Sequence, residues 1–287
     1  MGAADIVPGV SGGTVALVLG IYERLIRNVH TGARALRALL TADLAGFRTT
    51  VRQVEWIWLI SLLAGVLTAV FVLSSVLERL LDEQPVRMAA LFFGLVAGSL
   101  TVAWRLIRSV AAVQIGVVIV VAVGLFMLLG LRSDTESSDA EVVTKSWWIF
   151  LLAGALAICA MILPGISGSF ILVMIGMYAE VLGAVNDRDL LILAVFGVGC
   201  VIGLALFSTV LNWALEHHHD LVMAGMVGLM LGSLRVLWPW PGGTQTTDLT
   251  RPTGDIGVPI LLAAAGCALV IGVELIATRA HRRHALS

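Results

Sequence analysis

Charge is what this sequence has least of. Only 13% of its 287 residues are Asp, Glu, Lys or Arg, against 59% hydrophobic, and the mean hydropathy is +1.00. No ordinary soluble domain needs so much apolar surface, so lipid is the expected solvent for most of the chain. The net charge of -1 provides no overall attraction to nucleic acid, which is set aside as a partner. Cysteine is also scarce. Cys159, Cys200 and Cys267 each sit in an apolar stretch without a C-x-x-C spacing, which argues against a disulfide framework or a zinc centre and for small packing residues. The N-terminus lacks the basic, apolar and small-residue order of a secretory signal, so the apolar segments are expected to remain as membrane spans.

Six stretches are long and apolar enough to cross a hydrocarbon core of ~30 Å as helices. They run from Trp56 to Leu77, Met88 to Trp104, Val113 to Leu131, Leu190 to Trp213, Leu221 to Trp238 and Val258 to Ala277. Two further apolar regions, Ile6 to Ile26 and Trp147 to Val185, are interrupted by Pro8-Gly9-Val10-Ser11-Gly12-Gly13 and Pro164-Gly165-Ile166-Ser167-Gly168-Ser169. Proline and clustered glycine stop a helix and free backbone groups, which membrane depth tolerates only against protein or water. Both regions are therefore expected to be re-entrant hairpins, hinged at Pro8, Gly9, Pro164 and Gly165.

The interruptions are copies. Setting Pro8 on Pro164, a shift of 156 residues, also pairs Gly9 with Gly165, Ser11 with Ser167, Gly12 with Gly168, Gly20 with Gly176 and Tyr22 with Tyr178. Downstream, at a shift of 134, Gly94-Leu95, Gly98-Ser99-Leu100 and Trp104 fall on Gly228-Leu229, Gly232-Ser233-Leu234 and Trp238. The smaller shift means that the first half carries an insertion, Thr31 to Val54. Its apolar stripe (Leu36, Leu40, Leu44, Phe47, Val51) and its arginines predict an interfacial helix over 31–54, with a solvated connector as the alternative.

Arginine sets the orientation. Arg24, Arg27, Arg34, Arg37, Arg48 and Arg52 precede the first span, and Arg279, Arg282 and Arg283 follow the last, so both regions and the C-terminus are expected on the cytoplasmic side. The acidic segments 132–146 and 184–189 then lie outside. The expected fold is an all-α polytopic membrane protein of two inverted-topology repeats, with six transmembrane helices plus two re-entrant helical hairpins. Residues 1–131 form the first repeat, 132–146 an external linker and 147–287 the second repeat, an arrangement that secondary transporters use to build one central site.

The chemistry is expected at the breaks. A helix that restarts at Gly12-Gly13-Thr14 or Gly168-Ser169 presents unpaired N–H groups and hydroxyls without buried charge, the parts of an anion site. Close helix packing through small residues is the plainer account. Ser11, Gly12, Gly13, Thr14, Ser167, Gly168, Ser169 and Arg235 are the candidate phosphate-binding set, Arg235 because a cation inside a span usually faces an anion or a cavity. Glu274, Asp5 and Arg105 are candidate coupling or charge-partner residues, with a salt bridge or a backbone cap as the structural alternative. His217, His218 and His219 point in different directions and lack the i, i+3 or i+4 partners of a metal site, so neither a metal nor another cofactor is expected. Gly94-x-x-x-Gly98, Gly199-x-x-x-Gly203 and Gly228-x-x-x-Gly232 mark expected helix contacts.

The run Ala4-Asp5-Ile6-Val7-Pro8-Gly9-Val10-Ser11-Gly12-Gly13-Thr14, continuing to Gly20-Ile21-Tyr22-Glu23 and repeated from Leu163 to Tyr178, resembles the signature of the bacterial polyprenyl-phosphate (undecaprenyl phosphate) translocases, long catalogued as a domain of unknown function. The resemblance covers essentially the whole chain. It implies a multi-pass protein of the bacterial plasma membrane that returns undecaprenyl phosphate, the carrier lipid of cell-wall synthesis, from the outer to the inner leaflet. Membrane lipids are implied partners, with protons or sodium as the coupling ion and a homo-oligomer open. Only seven residues precede Pro8, so the entering arm of the first hairpin is expected to be short. Two other classes compete: an integral-membrane polyprenyl pyrophosphatase, weakened because neither motif holds the arginine that phosphoryl transfer requires, and an ion-coupled small-anion transporter.

Overall fold

The computed structural model describes residues 1–5, 7, 10–130, 146–243 and 248–284, with side chains as far as residue 276. The described residues form thirteen helices and no strand. In the first half these are α1 (Gly2–Asp5), α2 (Gly12–Val18), α3 (Tyr22–Leu40), α4 (Leu44–Gln53), α5 (Trp56–Glu83), α6 (Pro85–Arg105) and α7 (Ala112–Gly130). In the second they are α8 (Trp147–Ile162), α9 (Gly168–Met174), α10 (Tyr178–Asn186), α11 (Leu190–His217), α12 (His219–Ser233) and α13 (Gly257–His284). Five are long and apolar enough to cross a membrane: α5, α6, α7, α11 and α13.

The sixth expected span is shorter than its apolar run. Leu221 to Trp238 reads as continuous, yet α12 stops at Ser233, where the Ser233 hydroxyl bonds back to the Met230 carbonyl. Leu234 and Arg235 then donate to carbonyls three residues back, a tightened end, and Pro239 and Pro241 cannot continue a helix. Fifteen residues rise only ~22 Å, less than a hydrocarbon core. Arg235 therefore lies beyond a helix end and not inside a continuous helix.

The insertion also differs from expectation. Residues 31–54 are not one helix: α3 runs through to Leu40, Ala42 takes a left-handed conformation (φ 57°), and Asp43 opens α4 by accepting from the Gly46 amide at 2.8 Å. Arg24 in α3 pairs with Glu55, and Asn28 donates to the same carboxylate at 3.1 Å, which fixes the connection into α5.

The breaks repeat in local detail. Gly12 and Gly168 each begin a seven-residue helix, Gly20 and Gly176 follow with φ of 68° and 64°, and Tyr22 and Tyr178 each begin the next helix. The axes of α9 and α10 differ by 112°. Pro8 and Gly9 lie outside the described residues. Their counterparts are a buried Pro164 and a Gly165 with φ of 86°, packed against the backbone of Leu229 and Met230. Gly165→Ala is expected to cost about 1–2 kcal/mol from left-handed strain alone, and more from the collision with α12. A lowered thermal midpoint in detergent measures it.

Small residues set the helix seams. Gly94 and Gly98 press on Ala263 and Cys267 of α13, Gly228 and Gly232 on Val118 and Ala122 of α7, and Gly199 and Gly203 on Leu151 and Ala155 of α8. In each seam both residue numbers rise together, so α6 with α13, α7 with α12, and α8 with α11 run parallel. The first two seams join the two halves of the chain, so neither half packs as an isolated unit. By contrast α5 buries none of its side chains, and Phe71 is 88% exposed.

Candidate functional site

The two breaks touch each other. Ending at Ile162 leaves α8 with carbonyls that no helical N–H can reach. Hydroxyls of the other half take them: Ser11 Oγ donates to Leu163 O at 3.2 Å, and Tyr22 OH donates to Ile162 O at 3.3 Å. Gly13 allows the approach, because a Cβ there would lie 2.7 Å from the Ile162 carbonyl oxygen.

The two turns match in sequence but differ in what fills them. At the first, Asp5 accepts from the Gly12 amide at 2.6 Å and Ser11 from the Gly13 amide at 3.0 Å, so the chain's own carboxylate stands where an anion would. The shift of 156 places Met161 opposite Asp5, so the second turn has no such acid. Thr14 Oγ1 is buried and finds no partner among the described residues. A cavity of about 180 Å³ beside Asp5 is walled by Leu25, Ile26, Val29 and Ile158.

At the second turn Ser167 precedes α9 without capping it, and its hydroxyl meets that of Ser169 at 2.6 Å. Gly168 backs onto the Ala157 carbonyl of α8, which leaves the two serines on the open side. They line a cavity of about 200 Å³ with Ser233 and Tyr178, and Leu125, Leu129, Phe170 and Val236 supply apolar walls. Ser233 and Tyr178 are functional candidates that sequence reasoning noticed only as repeat landmarks.

Arg235 stands on a neighbouring cavity. Its Nη1 donates to Phe126 O at 3.3 Å, its guanidinium lies 4.7 Å over the Phe126 ring, and Gly130 leaves room for it. It lines neither the Ser167 cavity nor the Asp5 cavity, although Ser233, two residues earlier, faces the former. Glu274 bonds Arg105 at 3.0 Å, continuing the α6–α13 seam, and among the described residues it forms no pair with Arg235.

A polar cluster closes the other end of α12. Glu23 meets His219 at 3.1 Å, and Asp220 accepts from the Arg108 and Ser109 amides and, at 2.6 Å, from the Ser109 hydroxyl. His217 and His218 instead both lie against the Trp213 ring, with centroids at 5.3 and 5.5 Å, so of the three histidines His219 is the one in this cluster. The Ser109 hydroxyl, then the Arg108 amide, holds the Asp220 carboxyl well below the usual carboxylate range. A carboxylate depressed in the fold contributes stability above its unfolded pKa of ~3.9 and loses it as pH falls through the lower folded value. The tether should therefore be constant from pH 8 to 5 and weaken only in stronger acid, which a melting series against pH would record.

These features define a multi-pass helical membrane protein whose interior holds paired helix breaks and a small hydroxyl-lined cavity. The chain belongs to the undecaprenyl phosphate translocase-like family, which matches residues 1–253. It is 40% identical to the polyprenyl-phosphate transporter of Vibrio cholerae over 96% of this chain and 93% of that protein. It is 28% identical to the polyprenyl-phosphate transporter of Staphylococcus aureus over 83% of each. By family and relatives it is a transporter and not an enzyme. No solved structure matches it.

Proposed function

We propose that this chain carries a polyprenyl phosphate such as undecaprenyl phosphate from the outer to the inner leaflet of the bacterial plasma membrane, returning the carrier lipid for cell-envelope synthesis. The observation that carries the reading is the cavity at the second turn, where Ser167, Ser169, Ser233 and Tyr178 interrupt an apolar wall. A phosphate crossing a low-dielectric core must exchange its water for fixed donors, and hydroxyls provide them without a buried charge. At about 200 Å³ the cavity is smaller than the ~300–1,000 Å³ of ordinary ligand sites, so it suits a headgroup whose tail stays in the bilayer. A small-anion carrier would use the same hydroxyls, and the relatives' substrate favours the lipid.

The parallel seams support an inverted repeat. Exchanging the halves turns the α6–α13 pair into the α12–α7 pair, and α12 runs with α7, hence against α6. On this reading the paired breaks are re-entrant hairpins, and the cluster at Asp220 and the C-terminus are cytoplasmic. A cysteine placed at Asp255 should then react with an impermeant maleimide in intact cells, whereas one at Ser109 should react only after lysis. The reverse pattern would refute the orientation. Coupling to protons or sodium falls to Asp5, whose carboxylate sits at the contact between the breaks.

The two serines should act differently. Ser167→Ala should weaken binding of a short-chain polyprenyl phosphate by about 1–2 kcal/mol, the scale of a hydrogen bond to a charged group. Ser11→Ala should chiefly lower the melting temperature, because its hydroxyl holds Leu163. Binding isotherms and melting curves of the two variants test this division, and equal binding losses with unchanged melting would refute it.

A further inference from the structure

A second cavity, of about 470 Å³, opens between α6, α7 and the connection from α12 to α13, and the headgroup cavity does not account for it. Phe93, Phe126 and Trp238 wall it, with Arg235 and Arg251 on its lining. The aromatic wall is fixed: Phe93 and Trp238 pack edge to face at 6.1 Å, Trp238 rests likewise on Trp240 at 5.6 Å, and the Trp238 indole N–H donates to the Thr250 carbonyl at 3.0 Å. That last bond also pins the 248–252 segment over the cleft. Phe93 lies eight residues into α6, ~12 Å from its start, so the cleft reaches from the helix ends well into apolar depth.

We propose that this cleft reads the isoprenoid part of the substrate: its first isoprene units lie against the aromatic rings while Arg235 and Arg251 hold the phosphate before it passes Ser233 into the Ser167 cavity. The inference rests on the transport reading and adds a specificity site to it. Among the described residues that line the cleft, the charged ones are Arg235 and Arg251. Free phosphate would leave the aromatic wall unused, and a saturated acyl chain has no flat face to set against a ring. An isoprene unit has a planar, methyl-bearing double bond, so it sets more close contacts against a flat ring than an unbranched alkyl chain does. The way onward is short, since Ser233, on the Ser167 cavity, and Arg235, on the cleft, are two residues apart.

The test compares geranylgeranyl phosphate with octadecyl phosphate as ligands of the purified full chain, beside flipping of the isoprenoid lipid in proteoliposomes. Wild type should bind the isoprenoid at least tenfold more tightly. Phe93→Leu and Trp238→Leu, each checked for wild-type gel-filtration behaviour, should reduce that preference to less than threefold. Two substitutions guard against one that merely misfolds, and Phe93→Leu leaves the Thr250 bond intact. Wild type that flips the lipid but shows no preference, or variants that retain the preference, would overturn the cleft assignment alone. Wild type that neither binds nor flips either lipid would overturn the transport reading with it.

Discussion

Arg235→Ala is expected to lower polyprenyl-phosphate transport by roughly 10- to 100-fold, since a charge-assisted hydrogen bond to a phosphate contributes about 1.5–3 kcal/mol. The protein should still insert and fold. Arg235 lies past the end of α12, held by the Phe126 carbonyl and ring, and is not part of the α7–α12 seam built on Gly228 and Gly232. Lysine should restore only part of the rate, because an ammonium lacks the planar fork that grips two phosphate oxygens while resting on a ring. Flipping rates of the Ala and Lys variants, with gel filtration to confirm folding, check the point. An Ala variant that transports at the wild-type rate would remove Arg235 from the substrate path.

Gly94→Leu is expected to have the largest effect on stability, about 3 kcal/mol or more, at the upper end of what overpacking costs. The obstacle is backbone: a Cβ at Gly94 would collide with the Ala263 carbonyl, which cannot rotate away as a side chain could. The α6–α13 seam joins the two halves, so its loss should remove folded protein and transport together. Gly65→Leu on α5 is the control, because nothing lies within 4 Å of its added carbon. Yield and melting temperature should fall for the first variant and hold for the second. Equal behaviour of the two would mean that the seam does not bind the halves.

The seams were legible because small residues spaced four apart leave a groove only another backbone can fill, and all three G-x-x-x-G pairs lie in such contacts. The repeat was legible at the breaks for a similar reason: glycine is demanded by a left-handed turn at Gly20 and Gly176, so it survives in both copies of the motif. The end of α12 was harder to see. Hydropathy continues through Leu234, Val236 and Leu237, while the helix is stopped by the Ser233 back-bond and the prolines beyond, and this moved Arg235 from an expected span to a helix end. The break at Thr41-Ala42-Asp43 had a signal, since Asp43 is a good N-cap, but the apolar stripe running past it masked the stop. Divergence of the two turns depends on Asp5, which precedes the repeated motif and whose effect appears only when its carboxylate is seen on the Gly12 amide.

The central claim is that hydroxyls at the second turn carry a lipid phosphate across the membrane without breaking it. Purified protein in proteoliposomes should move a phosphorylated polyprenol between leaflets, Ser167→Ala should slow the movement, and no inorganic phosphate should be released from the lipid or from its pyrophosphate form. Release of phosphate from a polyprenyl pyrophosphate at a rate that Ser167→Ala eliminates, with no protein-dependent flipping, would contradict the account.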